Sequence, residues 1–169
     1  INKLQKILLR FSSFLLLFIA ISLFLIMFSY NIGDPSFRSA TSESAKNIFG
    51  NLGSHIADPL HLSLGISYQL LIFVILVWSW RLTFNDSKKK MISRLIFFPL
   101  PLATSAIFLS TYPPSSEWQF TYGLGGIFGD TILAYILKTI LLDSNTLLHI
   151  ISVLCALLTF FLTAFLTGT

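Results

Sequence analysis

The fold of this 169-residue chain is decided by residues 11–37, FSSFLLLFIAISLFLIMFSYNIGDPSF. The first twenty carry no charge, which is the length that a helix needs to cross a hydrocarbon core of about 30 Å. The last five then end a helix, because Pro35 disfavours helical backbone at Asp34 and the Asp34 side chain can bond to its own turn. We therefore expect a membrane-spanning helix followed by a sharp corner.

The remaining sequence extends this pattern. Hydrophobic residues make up 54% of the chain and charged residues 11%, whereas a soluble domain carries about 25% charged residues. Apolar runs predict four spans, at about residues 11–30, 60–80, 95–112 and 147–166. We predict an all-α membrane protein in which residues 1–169 form a single transmembrane domain. Because the chain begins with Ile and ends in an apolar run, we expect both ends to be cut and the working part of a longer protein to lie outside this chain.

The basic residues indicate an orientation. Eight of the eleven Lys and Arg residues precede the first span or lie in the short link between the second and third spans. The positive-inside rule makes that side cytoplasmic. We therefore predict that both termini are cytoplasmic and that residues 36–46 and 113–126 lie outside.

The segment 123–142 is apolar enough to cross a membrane but contains Asp130 and Lys138. Each charge would cost about 2.5–3.5 kcal/mol at the centre of a span. At 100° per residue, polar and apolar side chains fall on opposite halves of the helix. We predict an amphipathic helix over about residues 127–142 in the second outer loop, in the interface or against the bundle, with a fifth span as the alternative.

Sequence patterns for catalysis are sparse. No phosphate-binding loop of the Gly-x-x-x-x-Gly-Lys-Ser/Thr type is present. His55 and His61 are about 240° apart around a helix, so we expect interfacial polar residues rather than ligands of a metal or haem. We predict no catalytic residue, cofactor or metal. A transporter or channel subunit is the alternative, for which Ser63, Ser67 and Gln69 are the modest polar candidates.

Turn-forming and small residues are concentrated on the predicted outer side. Asp58 and Pro59 predict an N-cap and first helical position at the start of the second span; a helix running from about Ser54 and kinked at Pro59 is the competing interpretation. Gly125 and Gly129 form a Gly-x-x-x-Gly pair, which brings helices together or lets the helix bend back onto its own bundle. The predicted interaction or structural residues are Asp34, Pro35, Gly50, Gly53, Asp58, Gly125, Gly126 and Gly129.

Three short motifs carry a family resemblance. They are SYNIGDPSF at residues 29–37, NIFGNLGSHIAD at 47–58 and GGIFGDTI at 125–132. In this order they resemble the amino-terminal membrane region of the FtsK/SpoIIIE DNA translocases. The predicted number of spans and the basic link between the second and third spans are similar to that family as well. Pro59, directly after the Ala-Asp pair, departs from the family pattern.

The resemblance implies a function for this region. In the family, a linker and a hexameric ATP-driven motor follow the membrane region and pump double-stranded DNA through the closing septum. The membrane region would be a non-enzymatic anchor in the bacterial inner membrane that contacts lipid, directs the motor to the division site and helps its assembly. The implied partners are further copies through the full-length protein, other cell-division proteins, and DNA only through the motor.

Overall fold

The computed structural model describes residues 3–84, 94–140 and 143–168, and these form helices and loops without a strand. A 3-10 turn, Gly65–Ser67, joins the second and third helices. The prediction of an all-α chain is confirmed. The helices of the described residues are α1 (Lys3–Phe28), α2 (Gly50–Leu64), α3 (Tyr68–Phe84), α4 (Pro99–Ser110), α5 (Gly126–Thr139) and α6 (Ser144–Thr167).

Within these described ranges, three helical segments are long and apolar enough to cross a membrane: Ile7–Phe28, Gly50–Phe84 and Ser144–Thr167. They overlap the predicted spans at 11–30, 60–80 and 147–166. The predicted span at 95–112 coincides with α4, whose 12 residues would reach about 18 Å, less than a hydrocarbon core of about 30 Å. The count of four spans and the cytoplasmic termini stay predictions, and most of the basic link, residues 85–93, lies outside the described residues.

The second span does not begin where the sequence predicted. α2 starts at Gly50 and contains Pro59 in its interior, so the N-cap prediction for Asp58 was wrong. The competing interpretation, a helix that already runs through Ser54 and Pro59, is closer to the structure. Asp58 does not cap a helix because its carboxylate accepts hydrogen bonds from Arg38 and Tyr30 instead.

The helices pack in two groups, which contact each other through α2 and α5 as well as through α3. Ala20 and Met27 of α1 contact Ala57 of α2 and Ile72 of α3 in one buried cluster. The second cluster joins Leu133 of α5 to Leu147, Ile151 and Cys155 of α6. Side chains of α4 pack against this cluster. The predicted amphipathic helix at about residues 127–142 overlaps α5, and its amphipathic character stays a prediction; residues 141–142 lie outside the described residues.

Adjacent residues of α3 bond to the first and last helices. The Trp78 indole donates a hydrogen bond to the carbonyl of Leu166 in α6, at 3.2 Å. Ser13 of α1 and Ser79 exchange hydrogen bonds, each hydroxyl donating to the other residue's carbonyl, at 2.7 and 2.8 Å. The Ser13 hydroxyl also bonds to that of Thr83. Without water to compete, such polar contacts fix neighbouring membrane helices relative to one another. We call this group the α3 tie.

Candidate functional site

The predicted corner at Asp34 and Pro35 connects three segments. Asp34 is buried, and its two carboxylate oxygens accept the backbone N–H groups of Lys46 and Asn47 at 2.8 and 2.9 Å. The Pro35 carbonyl accepts the Ser54 hydroxyl of α2 at 2.6 Å. The bond to its own turn that we expected of Asp34 is made by another side chain, Asn31. Asp34 therefore holds the far end of the loop.

Asn47 is a structural residue that sequence reasoning missed. Its buried side chain donates to the Ile26 carbonyl of α1 at 2.8 Å and accepts the Phe49 N–H at 3.0 Å. A Cβ on Gly53 would lie 1.9 Å from the Asn47 Oδ1 atom, so Gly53 is required for space. Gly50 has open space around it but a φ of 58°, so it is required for conformation. The sequence signal that could have identified Asn47 is its regular spacing with the two glycines, at residues 47, 50 and 53.

Asp58 is the acceptor that fixes the first outer loop on α2. The Arg38 Nε atom donates to one carboxylate oxygen at 2.9 Å, while a second guanidinium nitrogen and the Tyr30 hydroxyl donate to the other. This two-point geometry is the strong form of an Arg–carboxylate pair. The bond to Asp58 raises the pKa of Arg38 above its ordinary value. The pKa of Tyr30 is raised mainly by burial and further by its hydrogen bond to the Asp58 carboxylate.

His61 lies in an aromatic enclosure formed by both outer loops. It is 7% exposed, so its ring packs inside the protein. Its Nδ1 atom is hydrogen-bonded to the Tyr122 hydroxyl at 2.8 Å, and its ring centroid lies 4.9 Å from that of Tyr30 and 4.4 Å from that of Phe120. Trp118 adds a further ring and donates to the Tyr122 carbonyl. Burial raises the pKa of Tyr122 to about 12.

The second outer loop also docks where α2 and α3 join, which we call the helix break. The Ile66 N–H donates to the Leu124 carbonyl at 2.8 Å. Gly65 and Gly126 have φ of 54° and 70°. A Cβ on Gly65 would lie 2.1 Å from the Leu124 oxygen, and one on Gly126 would lie 2.4 Å from the Gly65 nitrogen. Both glycines are therefore required, and the loop satisfies an N–H that the interrupted helix leaves free.

The Gly-x-x-x-Gly face packs within the chain. A Cβ on Gly125 or Gly129 would lie 1.9 or 2.4 Å from the Ala106 carbonyl oxygen of α4. Asp130 supports this contact because its carboxylate accepts the Ser110 hydroxyl and the Gly123 N–H, both at 2.6 Å. Gly125 and Gly129 thus allow α5 to pack closely against α4 of the same chain. This is the second of the two roles considered for the Gly-x-x-x-Gly pair in the sequence.

The contacts described above hold the two predicted outer loops against the helices. Within the ranges that the structure describes, no three His, Cys, Asp or Glu side chains gather in a group that could hold a metal. Asp34, Asn47, Ser54 and Asp58 bond to backbone or to other side chains, whereas the buried Ser67 hydroxyl has no partner among the described residues. The first outer loop and the start of α2 nevertheless expose large apolar side chains, with Phe37 80%, Ile48 62% and Leu52 67% exposed. This segment, which we call the apolar outer segment, is suited to contact.

Comparison with known proteins gives concordant matches. DNA translocase FtsK of Caulobacter vibrioides is 34% identical over 128 residues, which are 73% of this chain and 16% of that protein. DNA translocase FtsK of Azospirillum brasilense is 33% identical over 117 residues, 68% of this chain and 18% of that protein. The chain thus spans less than a fifth of the length of these relatives. No solved structure matches it.

The match at the level of the family is broader. The family model described as the 4TM region of DNA translocase FtsK/SpoIIIE covers residues 5–168. This range includes the Asp34 corner, the aromatic enclosure of His61 and the helix break. The chain therefore belongs to the FtsK/SpoIIIE family of DNA translocases, of which it is the 4TM region.

Proposed function

We propose that this chain anchors an ATP-driven double-stranded DNA translocase in the bacterial inner membrane, directs it to the division septum and helps it to assemble there. The observation that carries the proposal is the family match over residues 5–168. The relatives that extend well beyond the matched region bear the name DNA translocase. ATP hydrolysis and DNA binding are accordingly assigned to a motor outside this chain.

The anchoring role is supported by the side chains that the helices expose. Phe14 and Phe18 of α1 are each 67% exposed, and Phe160 and Phe161 of α6 are 68% and 65% exposed. In water, so many exposed rings would be an aggregation surface, whereas in a bilayer they contact acyl chains. Membrane lipid is therefore the partner that most of this surface fits.

Assembly and targeting are assigned to the outer side. Asp34, Gly53 and Asp58 hold the first outer loop against α2, so the apolar outer segment is presented on an ordered support rather than on a free loop. Burying exposed apolar side chains is the usual driving force for protein association. We assign to this surface the contact with other division proteins or with further copies of the full-length protein.

The test is localisation of the chain fused to a fluorescent protein in dividing cells of Caulobacter vibrioides. The fusion should sediment with membranes and form a band at the septum. The triple variant Phe37→Ser, Ile48→Ser and Leu52→Ser should stay in the membrane but lose the band. As a matched control, Ile96→Ser removes a side chain that is 81% exposed outside this segment and should keep the band. A uniform membrane signal from the unmodified fusion would contradict the targeting role.

A further inference from the structure

The inner end of α6 brings two arginines together. Gly168 follows α6 with a φ of 75°, and its N–H donates to the Ala164 carbonyl at 2.7 Å. A Cβ on Gly168 would lie 2.2 Å from the Arg81 Nη1 atom and 2.3 Å from the Arg94 Nη1 atom. Because both nitrogens lie so near one point, the two guanidinium groups are side by side. Arg81 comes from the last turn of α3 and Arg94 from the segment before α4.

No carboxylate of the described residues pairs with these two arginines, since the only ion pair among those residues is that of Arg38 and Asp58. The carboxyl end of a helix supplies about half a negative charge, which is less than the two positive charges gathered beside α6. Arg94 is held in position over the Phe165 ring, 5.1 Å from its centroid. The pair is thus placed to receive an anion.

An apolar groove adjoins the arginine pair. It has a volume of about 520 Å³ and lies between α3, α4 and α6. Its lining includes Val77, one turn before Arg81, and Thr167, next to Gly168. From Ala156 to Thr167 the groove follows α6 for about 16 Å at 1.5 Å per residue, enough for most of an acyl chain. The apolar groove therefore ends close to the arginine pair.

We propose that the arginine pair and the groove together bind an anionic phospholipid, with the phosphate between Arg81 and Arg94 and one acyl chain in the groove. The planar fork of a guanidinium group matches the geometry of a phosphate and donates to two of its oxygens. Basic pockets between membrane helices on the cytoplasmic side bind acidic head groups by the same chemistry. A zwitterionic lipid fits less well, because its own cation would lie near the two arginines. The site would fasten α3 to α6 through a bound lipid.

The experiment is native mass spectrometry of the purified chain in detergent, titrated with phosphatidylglycerol or phosphatidylcholine. The chain should retain phosphatidylglycerol at about a tenfold lower concentration, which corresponds to one good charge-assisted contact. The double variant Arg81→Gln and Arg94→Gln should lose this preference. The matched control Arg10→Gln removes an exposed charge from α1 and should keep it. Equal retention of both lipids by the unmodified chain, or an unchanged preference in the double variant, would overturn the proposal.

Two further measurements test the parts of the site separately. Ala156→Trp fills the groove and leaves the arginine pair in place, so retention of phosphatidylglycerol should fall; unchanged retention would overturn the assignment of the groove. Inorganic phosphate added to the unmodified chain should not displace the lipid, because it offers no acyl chain. Complete displacement by phosphate would show that the arginines bind a free anion instead. The phosphate measurement needs no variant, so a failure of the double variant to fold does not affect it.

Discussion

At the scale of the residue, the buried polar side chains on the outer side connect segments that are distant in sequence. Asp34 bonds to the backbone of residues 46 and 47, Asn47 to that of Ile26, and Arg38 to the Asp58 side chain. A buried donor or acceptor that loses its partner costs more free energy than the intact bond contributes, because the lone group stays desolvated. Each of these residues is therefore more important for stability than its number of contacts suggests.

Asp34 gives the most direct test of that asymmetry. Asp34→Ala leaves the N–H groups of Lys46 and Asn47 without their acceptor and should lower the free energy of unfolding by about 1–3 kcal/mol. Thermal unfolding of the purified chain in detergent measures the change. Glu43→Ala removes an exposed carboxylate from the same loop and should stay within about 0.5 kcal/mol. Equal effects of the two substitutions would contradict the assigned role of Asp34.

The tyrosines beside Asp58 and His61 predict a loss of stability at alkaline pH. Burial raises the pKa of Tyr122 to about 12 and also raises that of Tyr30. A raised pKa in the folded state means that the contribution to stability is complete below about pH 10, the unfolded value, and is lost as pH rises toward 12. Absorbance of tyrosinate near 295 nm should show late titration of these two residues. Tyr122→Phe should remove one late step; titration of all tyrosines near pH 10 would exclude the effect.

At the scale of the element, the early start of α2 and the helix break that follows it differ most from the sequence prediction. Asp58 followed by Pro59 is a good local signal for a helix start, and local preference was the only information that the sequence offered there. The competing partner, Arg38, lies twenty residues earlier in an irregular loop, and no periodic pattern indicates such a contact. The helix break was equally invisible, because Gly65 is matched to a loop sixty residues away.

Substitutions at Gly50 and Gly65, which both have positive φ, distinguish the free-energy cost of left-handed backbone from that of a steric clash. Gly50→Ala should be destabilised by about 1–2 kcal/mol, the usual cost of left-handed backbone for a residue with a Cβ. Gly65→Ala carries the same cost and also places its Cβ 2.1 Å from the Leu124 oxygen, so its melting temperature should fall further. Parallel thermal unfolding of both variants measures the difference. A fall no larger than that of Gly50→Ala would show that the loop does not dock tightly into the helix break.

At the scale of the whole molecule, composition predicted the class and the pattern of charge predicted an arrangement, but neither predicted the contacts between helices. Apolar runs located α1, α3 and α6 because membrane helices must be apolar over about twenty residues. The same signal is silent on which helix faces meet, since the lipid-facing and packed sides of α6 are both apolar. Gly125 and Gly129 lie against the Ala106 carbonyl of α4, a neighbour that could not be read from their spacing.

The contact of α4 with α6 can be tested by a disulfide. The hydroxyls of Thr104 and Thr159 are 2.8 Å apart, so cysteines at both positions should form an intramolecular bridge on oxidation, in a chain whose Cys155 is replaced by Ala. Altered gel mobility that reverts on reduction reports the bridge. The control pair Thr104→Cys with Ser152→Cys is about 10 Å farther along α6 and should stay unlinked. A disulfide in the control pair alone would mean that α4 packs against a different part of α6.

The predicted orientation can be tested with single cysteines in the same Cys155→Ala background. The charge distribution places Ser42 and Ser116 outside and Ser87 in the cytoplasm. A thiol reagent that does not cross membranes should label the first two positions in intact cells, since both are exposed in the structure, and should label Ser87 only after lysis. Labelling of Ser87 but not Ser42 in intact cells would reverse the predicted orientation.

From its position, we expect the α3 tie to govern how the molecule responds to a mechanical load. A force applied to the carboxyl end of α6 acts on the hydrogen bond between Trp78 and Leu166, which lies in the last turn of that helix. Through α3 it then acts on the two hydrogen bonds between Ser79 and Ser13 of α1. Tension is thereby shared by three helices near the point of entry, without first stretching the loops. Sliding α1 along α3 breaks both Ser13–Ser79 bonds together, and bonds loaded together resist shear better than bonds opened one after another. We therefore expect the end of the bundle that holds the α3 tie to carry the load, so that the loops at the other end are not strained.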